Sequence, residues 1–307
     1  STKQADLLPA ETVVDRSLGL ASATTFVALE GRDVFLIMLE NRAYDQIIGN
    51  SEAPFINQMA KQKNLATNFF AVGHPSLTNY LEVVGGSNFG VTNAHSPDWH
   101  NSGCTPNLVS GIPSDESTAA PICPIAGTGM DAATPAVDTT NEGTPASPLY
   151  NVPLAAAPTV GKTIADQLVE AGMSWKSYQE DLGFNGPDRV DYGNGTFTNL
   201  SPVNQDDVVS LYAVKHNPFA YFANVQANTD PDNGFANMAD FTGLNGLYAD
   251  LATGKVPNFS FIAPNQCNDM HGRGNGGAFC GYDDPAPHNN PALIQAGDNA
   301  VQKVVTA

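Results

Sequence analysis

Six consecutive apolar residues, Val34 to Leu39, stop abruptly at Glu40 and Asn41. A run of that length predicts a fully buried parallel strand, and its polar end marks where such a strand leaves the core. Strand ends of this kind open onto the ligand crevice of an open α/β sheet. Helical spacing follows. Phe55, Ile56, Met59 and Ala60 share one face of a segment from Pro54 to Lys63, with the proline suited to the first turn. That helix would return the chain to a second strand over residues 66–72. Residues 77–84 are largely apolar and lie between Pro75 and the pair Gly85-Gly86, which predicts a short helix with Ser76 at its start. Thr163 and Asp166 have the spacing of a capping box, ahead of a helix that puts Ile164, Leu168 and Val169 on one face and is stopped by Gly172. Further strands are predicted over 174–178 and over 259–263, the latter ended by Pro264.

Strands and helices therefore alternate, which predicts an α/β fold with a central, largely parallel sheet flanked by helices. Residues 1–30 show no strong periodicity and read as an N-terminal arm; residues 31–307 read as one domain. Within it, residues 101–160 are rich in Ala, Thr, Pro and Gly, longer than an ordinary connection, and predict an elaborated surface loop over the site.

Composition narrows the function. A hydrophobic content of 42% in 307 residues is ample for a core. The formal charge of −18, with only 13 Lys and Arg, argues against nucleic acid as a partner and against unaided docking on anionic lipid. An anionic substrate would need local cations. No apolar stretch is long enough for a membrane span, and the N-terminus carries no basic-then-apolar leader, so the chain is expected to be either cytosolic or exported with its signal peptide removed. Cysteine favours export: Cys104 with Cys123 and Cys267 with Cys280 bracket two loops and read as two local disulfides, giving a secreted or periplasmic protein. Four free thiols are the alternative, and Cys267 also stands close enough to Asp269 and His271 in sequence to be weighed as a ligand.

Several blocks carry chemistry: Leu39-Glu40-Asn41 with Tyr44; His74-Pro75-Ser76-Leu77-Thr78-Asn79-Tyr80; residues 174–180; Lys215-His216-Asn217-Pro218-Phe219; and Asn265 through Asp269 to His271. In this order the blocks resemble the phosphoesterase family that includes bacterial acid phosphatases and phospholipases C, within the alkaline-phosphatase-like superfamily. The resemblance implies a three-layer α/β architecture and metal-assisted phosphoryl transfer. It implies Ser76 as nucleophile and metal ligand, with Glu40, Asn41, Asp269 and His271 completing the ligand set for a divalent ion, whether Mg, Ca, Mn or Zn. Asn79 would hold a phosphate oxygen, while Lys215 and His216 would supply a cation and a general acid.

Each residue has a plainer reading. Glu40 and Ser76 could be helix caps, Asn41 a turn residue, and Lys215-His216 a helix end complementing the dipole. Trp175, Tyr178 and Phe219 read as core. Asp283-Asp284 could be a metal pair or a turn, and Asp230-Pro-Asp232-Asn233-Gly234 has alternate oxygen ligands without the remainder of a calcium loop. Members of such a family continue past the segment resembling Gly297-Asp298-Asn299 into a buried strand with further ligands. Here Ala307 is the last residue, so an incomplete ligand set is expected, with the chain either cut or truncated or completed by a separate C-terminal fragment. The function expected is a secreted phosphatase for phosphate monoesters, working on a phosphorylated small molecule or a phospholipid headgroup through a phosphoserine. A phospholipase C or other phosphodiesterase, and a noncatalytic binding or cell-surface protein, are the alternatives.

Overall fold

A computed structural model describes residues 33–71, 73–86, 88–89, 91, 94, 97, 122, 125, 130–131, 159–160, 162–182, 211–272, 280–281 and 290–307. Four strands form one parallel sheet in the order β1 (Val34–Ile37), β6 (Phe259–Ala263), β4 (Trp175–Gln179), β5 (Met238–Ala239). Phe259 lies between Val34 on one side and Trp175 on the other, which sets the register across the three longer strands. β2 (Met130–Asp131) and β3 (Thr159–Val160) form a separate antiparallel pair. The helices are α1 (Tyr44–Ile47), α2 (Pro54–Gln62), α3 (Ser76–Gly85), α4 (Ile164–Glu170), α5 (Ala223–Ala227), α6 (Leu247–Thr253) and α7 (Pro291–Thr306). Residues 33–307 make one compact unit. The sheet and its surrounding helices are an α/β arrangement, as the alternating pattern predicts.

Local chemistry accounts for most boundaries. Pro54 stands in the first turn of α2. α3 ends where Gly86 takes φ +68°, a conformation a β-carbon makes costly. Thr163 caps α4 as its spacing predicts: its hydroxyl accepts from the Asp166 N–H, and the Asp166 carboxylate accepts the Thr163 N–H at 2.8 Å. Gly172 follows at φ +72°.

Two expectations are corrected. β1 is not fully buried: it pairs only with β6, at the edge of the described sheet, and Val34 and Phe35 are 54% and 43% exposed. The strand buried at every position is β6, which has neighbours on both sides. The second strand over 66–72 is also absent from the described residues, since residues 64–71 are irregular and exposed, Phe69 to 81%. Apolar residues there lack a partner strand among the described residues, and without ladder hydrogen bonds a short apolar run has no preference for extended pairing.

The core behind β4 and β6 is aromatic. Trp175 packs on Phe219 at 4.4 Å between centroids, and Phe219 meets Phe261 edge to face. Trp175, Tyr178 and Phe219 are thus core residues. Cys267 and Cys280 are joined in a disulfide, whereas Cys104, Cys123, Asp283 and Asp284 lie outside the described residues. Asp230 to Gly234 folds as a turn in which Asp230 Oδ1 accepts the Asp232 N–H at 2.9 Å, and Asn233 donates to Asp166 at 2.6 Å. Among the described residues no helix is long and apolar enough to cross a membrane.

Candidate active site

The carboxyl ends of β1 and β6 lie side by side. The Met38 N–H donates to Ile262 O and the Glu40 N–H to Asp269 O, each at 2.9 Å, so parallel pairing carries Glu40 alongside the turn that holds Asp269 and His271. Ser76 comes to the same place on the first turn of α3, where its Oγ–H donates to Glu40 Oε2 at 2.5 Å. Tyr80, one turn later on the same face, reaches Glu40 Oε1 at 3.4 Å.

Lys215 and His216 arrive on a short 3₁₀ turn, Val214–His216, that is buried rather than solvated. β4 holds this turn from below. Ser177 Oγ donates to Asn217 Oδ1 at 3.2 Å, Gln179 Nε2 donates to Ser177 Oγ at 2.9 Å and to His216 O at 3.2 Å, and Asn217 Nδ2 donates to the Tyr212 hydroxyl at 3.1 Å. A polar chain this deep is affordable only when its members are paired, and it fixes the direction of His216.

His216 lies between two carboxylates. Its Nε2 faces Glu40 Oε1 and its Nδ1 stands 3.0 Å from Asp269 Oδ2. The ring stacks on Tyr80 at 4.9 Å and 8°. Lys215 Nζ is 3.2 Å from His271 Nε2, and His271 Nδ1 is 2.7 Å from Gly272 O. Burial alone would raise the Glu40 pKa, but the positive charges of His216, His271 and Lys215 outweigh it and hold the carboxyl well below the usual range. Burial would likewise lower His216; Glu40 and Asp269 reverse that and hold it above its ordinary value. His271 moves the other way, pushed down by burial and then by Lys215. Burial, followed by the Glu40 and Asp269 charges, raises the Tyr80 phenol.

Glu40, His216 and Asp269 offer one donor atom each within 4.8 Å of one another, the one such group among the described residues. Both ring nitrogens of His216 and Oδ2 of Asp269 are buried and make no geometrically sound hydrogen bond, despite standing within ion-pair reach. Donors converging without mutual hydrogen bonds fit a shared divalent cation, and two carboxylates with an imidazole are a fitting ligand set.

Of the residues predicted from sequence, Glu40, Ser76, Asp269, His271, Lys215 and His216 come together here. Two take other positions. Asn41 is exposed at φ +64°, beyond the strand end. Asn79 uses its carboxamide on the loop before α3: Nδ2 donates to Gly73 O at 2.8 Å and Oδ1 accepts the Gly73 N–H at 3.2 Å. His216, expected as the general acid, stands with Glu40 and Asp269 in the group that could hold a cation, and His271, expected as a ligand, lies 3.2 Å from Lys215 beside it. Tyr80 was not singled out from sequence, although its position four residues after Ser76 places it on the same helical face.

The chain is 27% identical over 237 residues to a probable acid phosphatase of Kluyveromyces lactis, covering 77% of this chain and 38% of that one. It is 27% identical over 237 residues to an acid phosphatase of Aspergillus fumigatus, covering 77% and 36%. A phosphatidylinositol-3-phosphatase of Mycobacterium tuberculosis is 26% identical over 239 residues, covering 78% and 51%. The chain thus spans between about a third and a half of the length of these relatives. No solved structure matches it. The model of the Phosphoesterase family matches residues 50–278, three quarters of the sequence and most of the site just described, and the chain belongs to that family.

Proposed function

We propose that the protein is an exported phosphoric ester hydrolase that cleaves phosphate monoesters through a covalent phosphoserine at Ser76. The observation that carries this reading is the 2.5 Å hydrogen bond from Ser76 Oγ to Glu40, inside a buried group of carboxylates and cations at the sheet's carboxyl end. That location also supports an alkaline-phosphatase-like layering. Glu40, His216 and Asp269 would hold a divalent ion, which when bound supplies charge neutralisation at the phosphoryl oxygens and at Ser76 Oγ.

This chain's own residues do the rest. Held by its hydrogen bond to Glu40 Oε2, Ser76 Oγ attacks phosphorus as its proton passes to a phosphoryl oxygen of the dianion; the Oγ–P bond forms and the P–O bond to the alcohol breaks. Lys215, paired with His271, supplies positive charge and the proton taken up by the departing alkoxide. Water then attacks the phosphorus of the phosphoserine, giving a proton to Lys215, while Ser76 Oγ takes back the proton it gave up as the Oγ–P bond breaks and inorganic phosphate leaves. The cations beside the cluster suit a monoester dianion better than a diester monoanion. A phosphatidylinositol 3-phosphate is itself a monoester carried on a lipid headgroup, so substrate could be a small phosphorylated molecule or such a headgroup. The Cys267–Cys280 disulfide supports export.

Hydrolysis of p-nitrophenyl phosphate beside p-nitrophenyl phosphorylcholine, with chelator or added divalent ions, tests the assignment. Monoester turnover is expected, abolished by chelator, with a labelled phosphoserine at residue 76 on acid quench; Ser76→Ala is expected to lose roughly a thousandfold or more in kcat. Turnover of the diester alone would transfer the chain to the phosphodiesterase reading, and silence on both would support a binding role.

A further inference from the structure

The turn after β6 carries Asp269 and His271 with a single residue between them. That residue, Met270, sits at φ +76° and is 1% exposed. Side chains rarely occupy this left-handed region, so the surroundings must hold the residue there. Within the kink, Asp269 Oδ1 accepts the His271 N–H at 2.7 Å, leaving Oδ2 toward His216.

Two distant elements grip Met270. Arg42, just past the end of β1, donates from Nη2 to Met270 O at 2.7 Å. In the middle of α7, Gly297 lies so close to the Met270 side chain that a β-carbon would come within 2.3 Å of its Cγ and 2.6 Å of its Cε. Glycine is unfavourable inside a helix, and no left-handed backbone calls for it at this position, so close approach is the reason for it. Retreat of α7 is opposed by the next residue. Asp298 accepts the N–H groups of Phe55 and Ile56 at 3.0 and 2.8 Å and so ties α7 to the start of α2.

We propose that Gly297 and Arg42 are positioning residues for the reacting centre. Gly297 seats the Met270 side chain and Arg42 holds its carbonyl, and together they fix the kinked turn that aims Asp269 at His216 and Glu40, and His271 at Lys215. The inference rests on the reading of this cluster as the catalytic centre. It deepens that reading by assigning the precision of the turn to a helix that contributes no reacting atom.

The test uses the full chain, first free of metal, and follows the imidazole signals of His216 and His271 by ¹H–¹⁵N NMR. Gly297→Ala is expected to displace both signals and to weaken Mn²⁺ binding by roughly tenfold or more, the usual size of a loss behind a metal's own ligands. Met270→Gly added to Gly297→Ala removes the clash and suits the left-handed backbone, so both signals and Mn²⁺ affinity should return. Unchanged signals in Gly297→Ala, or a folded double variant that fails to restore them, would overturn the proposal. Should Gly297→Ala not fold, Arg42→Met carries the test, with displaced imidazole signals expected and unchanged signals decisive against it. Monoester hydrolysis is read separately: a wild type without turnover would remove the proposed function while the imidazole signals still decide the positioning role.

Discussion

Glu40 meets three different groups with one carboxylate: the Ser76 hydroxyl on Oε2, and His216 with the Tyr80 hydroxyl on Oε1. Tyr80 is the least tied of these, since its hydroxyl contact is long while its ring stacks on His216 almost in parallel. The ring should therefore matter more than the hydroxyl. Tyr80→Phe is predicted to keep kcat within about threefold, whereas Tyr80→Leu, which loses a stacking contact of about 0.5–1.5 kcal/mol and leaves His216 free to turn, should lose tenfold or more; equal losses would assign the role to the hydroxyl. The same group predicts a pH dependence for the metal-free protein. His216 has a folded pKa above its ordinary 6.5, so the stability it draws from Glu40 and Asp269 is complete below that value and is lost as pH rises through the raised one. Glu40 has a folded pKa below its ordinary 4.5, so its share is complete above that value and is lost only in stronger acid. Both shares are present together between pH 4.5 and 6.5. In chelator, the difference in Tm between wild type and His216→Asn is predicted to be widest in that window and to shrink on the alkaline side. A difference that stays constant through the alkaline range would remove the ion pair from the account.

α7 bears on the site as an element, through the bare backbone of Gly297 and the carboxylate of Asp298 rather than through any chemistry of its own. Asp298 is 1% exposed and receives two N–H groups from the first turn of α2, where unpaired donors and the positive end of the dipole favour a carboxylate. Removing it leaves those part-buried donors short of partners. Asp298→Ala is predicted to lower the unfolding free energy by about 1–3 kcal/mol, read from urea denaturation, and a loss under about 0.5 kcal/mol would mean that water replaces the carboxylate without cost. The α2 to α7 contact was not legible in the sequence, because an acid capping a helix some 240 residues away leaves no local pattern. Locally encoded features were legible: Pro54 opening α2, the Thr163–Asp166 box, and Gly172 and Gly86 as stops. Ser76 and Glu40 could be grouped in advance only through the family resemblance of the ordered blocks, since each alone reads equally well as a cap. What failed depended on neighbours. An apolar run reads the same whether it becomes the central β6, the edge strand β1 or the irregular, exposed stretch around Phe69, since pairing on the second side is a tertiary fact. His216 was visible as chemistry but not as a partner of both Glu40 and Asp269, because the 3₁₀ turn that aims it is set by Ser177, Gln179 and Asn217 from another part of the chain.

At the scale of the whole molecule, Lys215 and His216 stand buried beside Glu40 and Asp269 within a chain of formal charge −18. Lys215 and His216 are nearly inaccessible, so their charges act on a substrate that has already entered, whereas the surface acts on one still approaching. A phosphate dianion is therefore repelled at long range and attracted only at contact. Salt separates the two effects, because raising ionic strength from about 0.01 to about 0.15 M shortens the Debye length from about 30 to about 8 Å. That is enough to remove the long-range repulsion while leaving the desolvated contacts inside the site much less screened. The kcat/KM for p-nitrophenyl phosphate is accordingly predicted to rise about two- to tenfold across that range, with kcat unchanged, since only the approach is affected. The Lys215→Met variant should keep the rise at a lower absolute rate, because its missing charge belongs to the contact and not to the approach. A fall in kcat/KM with salt would mean that a positive field reaches out of the site and dominates the approach. Insensitivity to salt would mean that the acidic groups lie away from the entrance, and either result would detach the net charge of the chain from its catalysis.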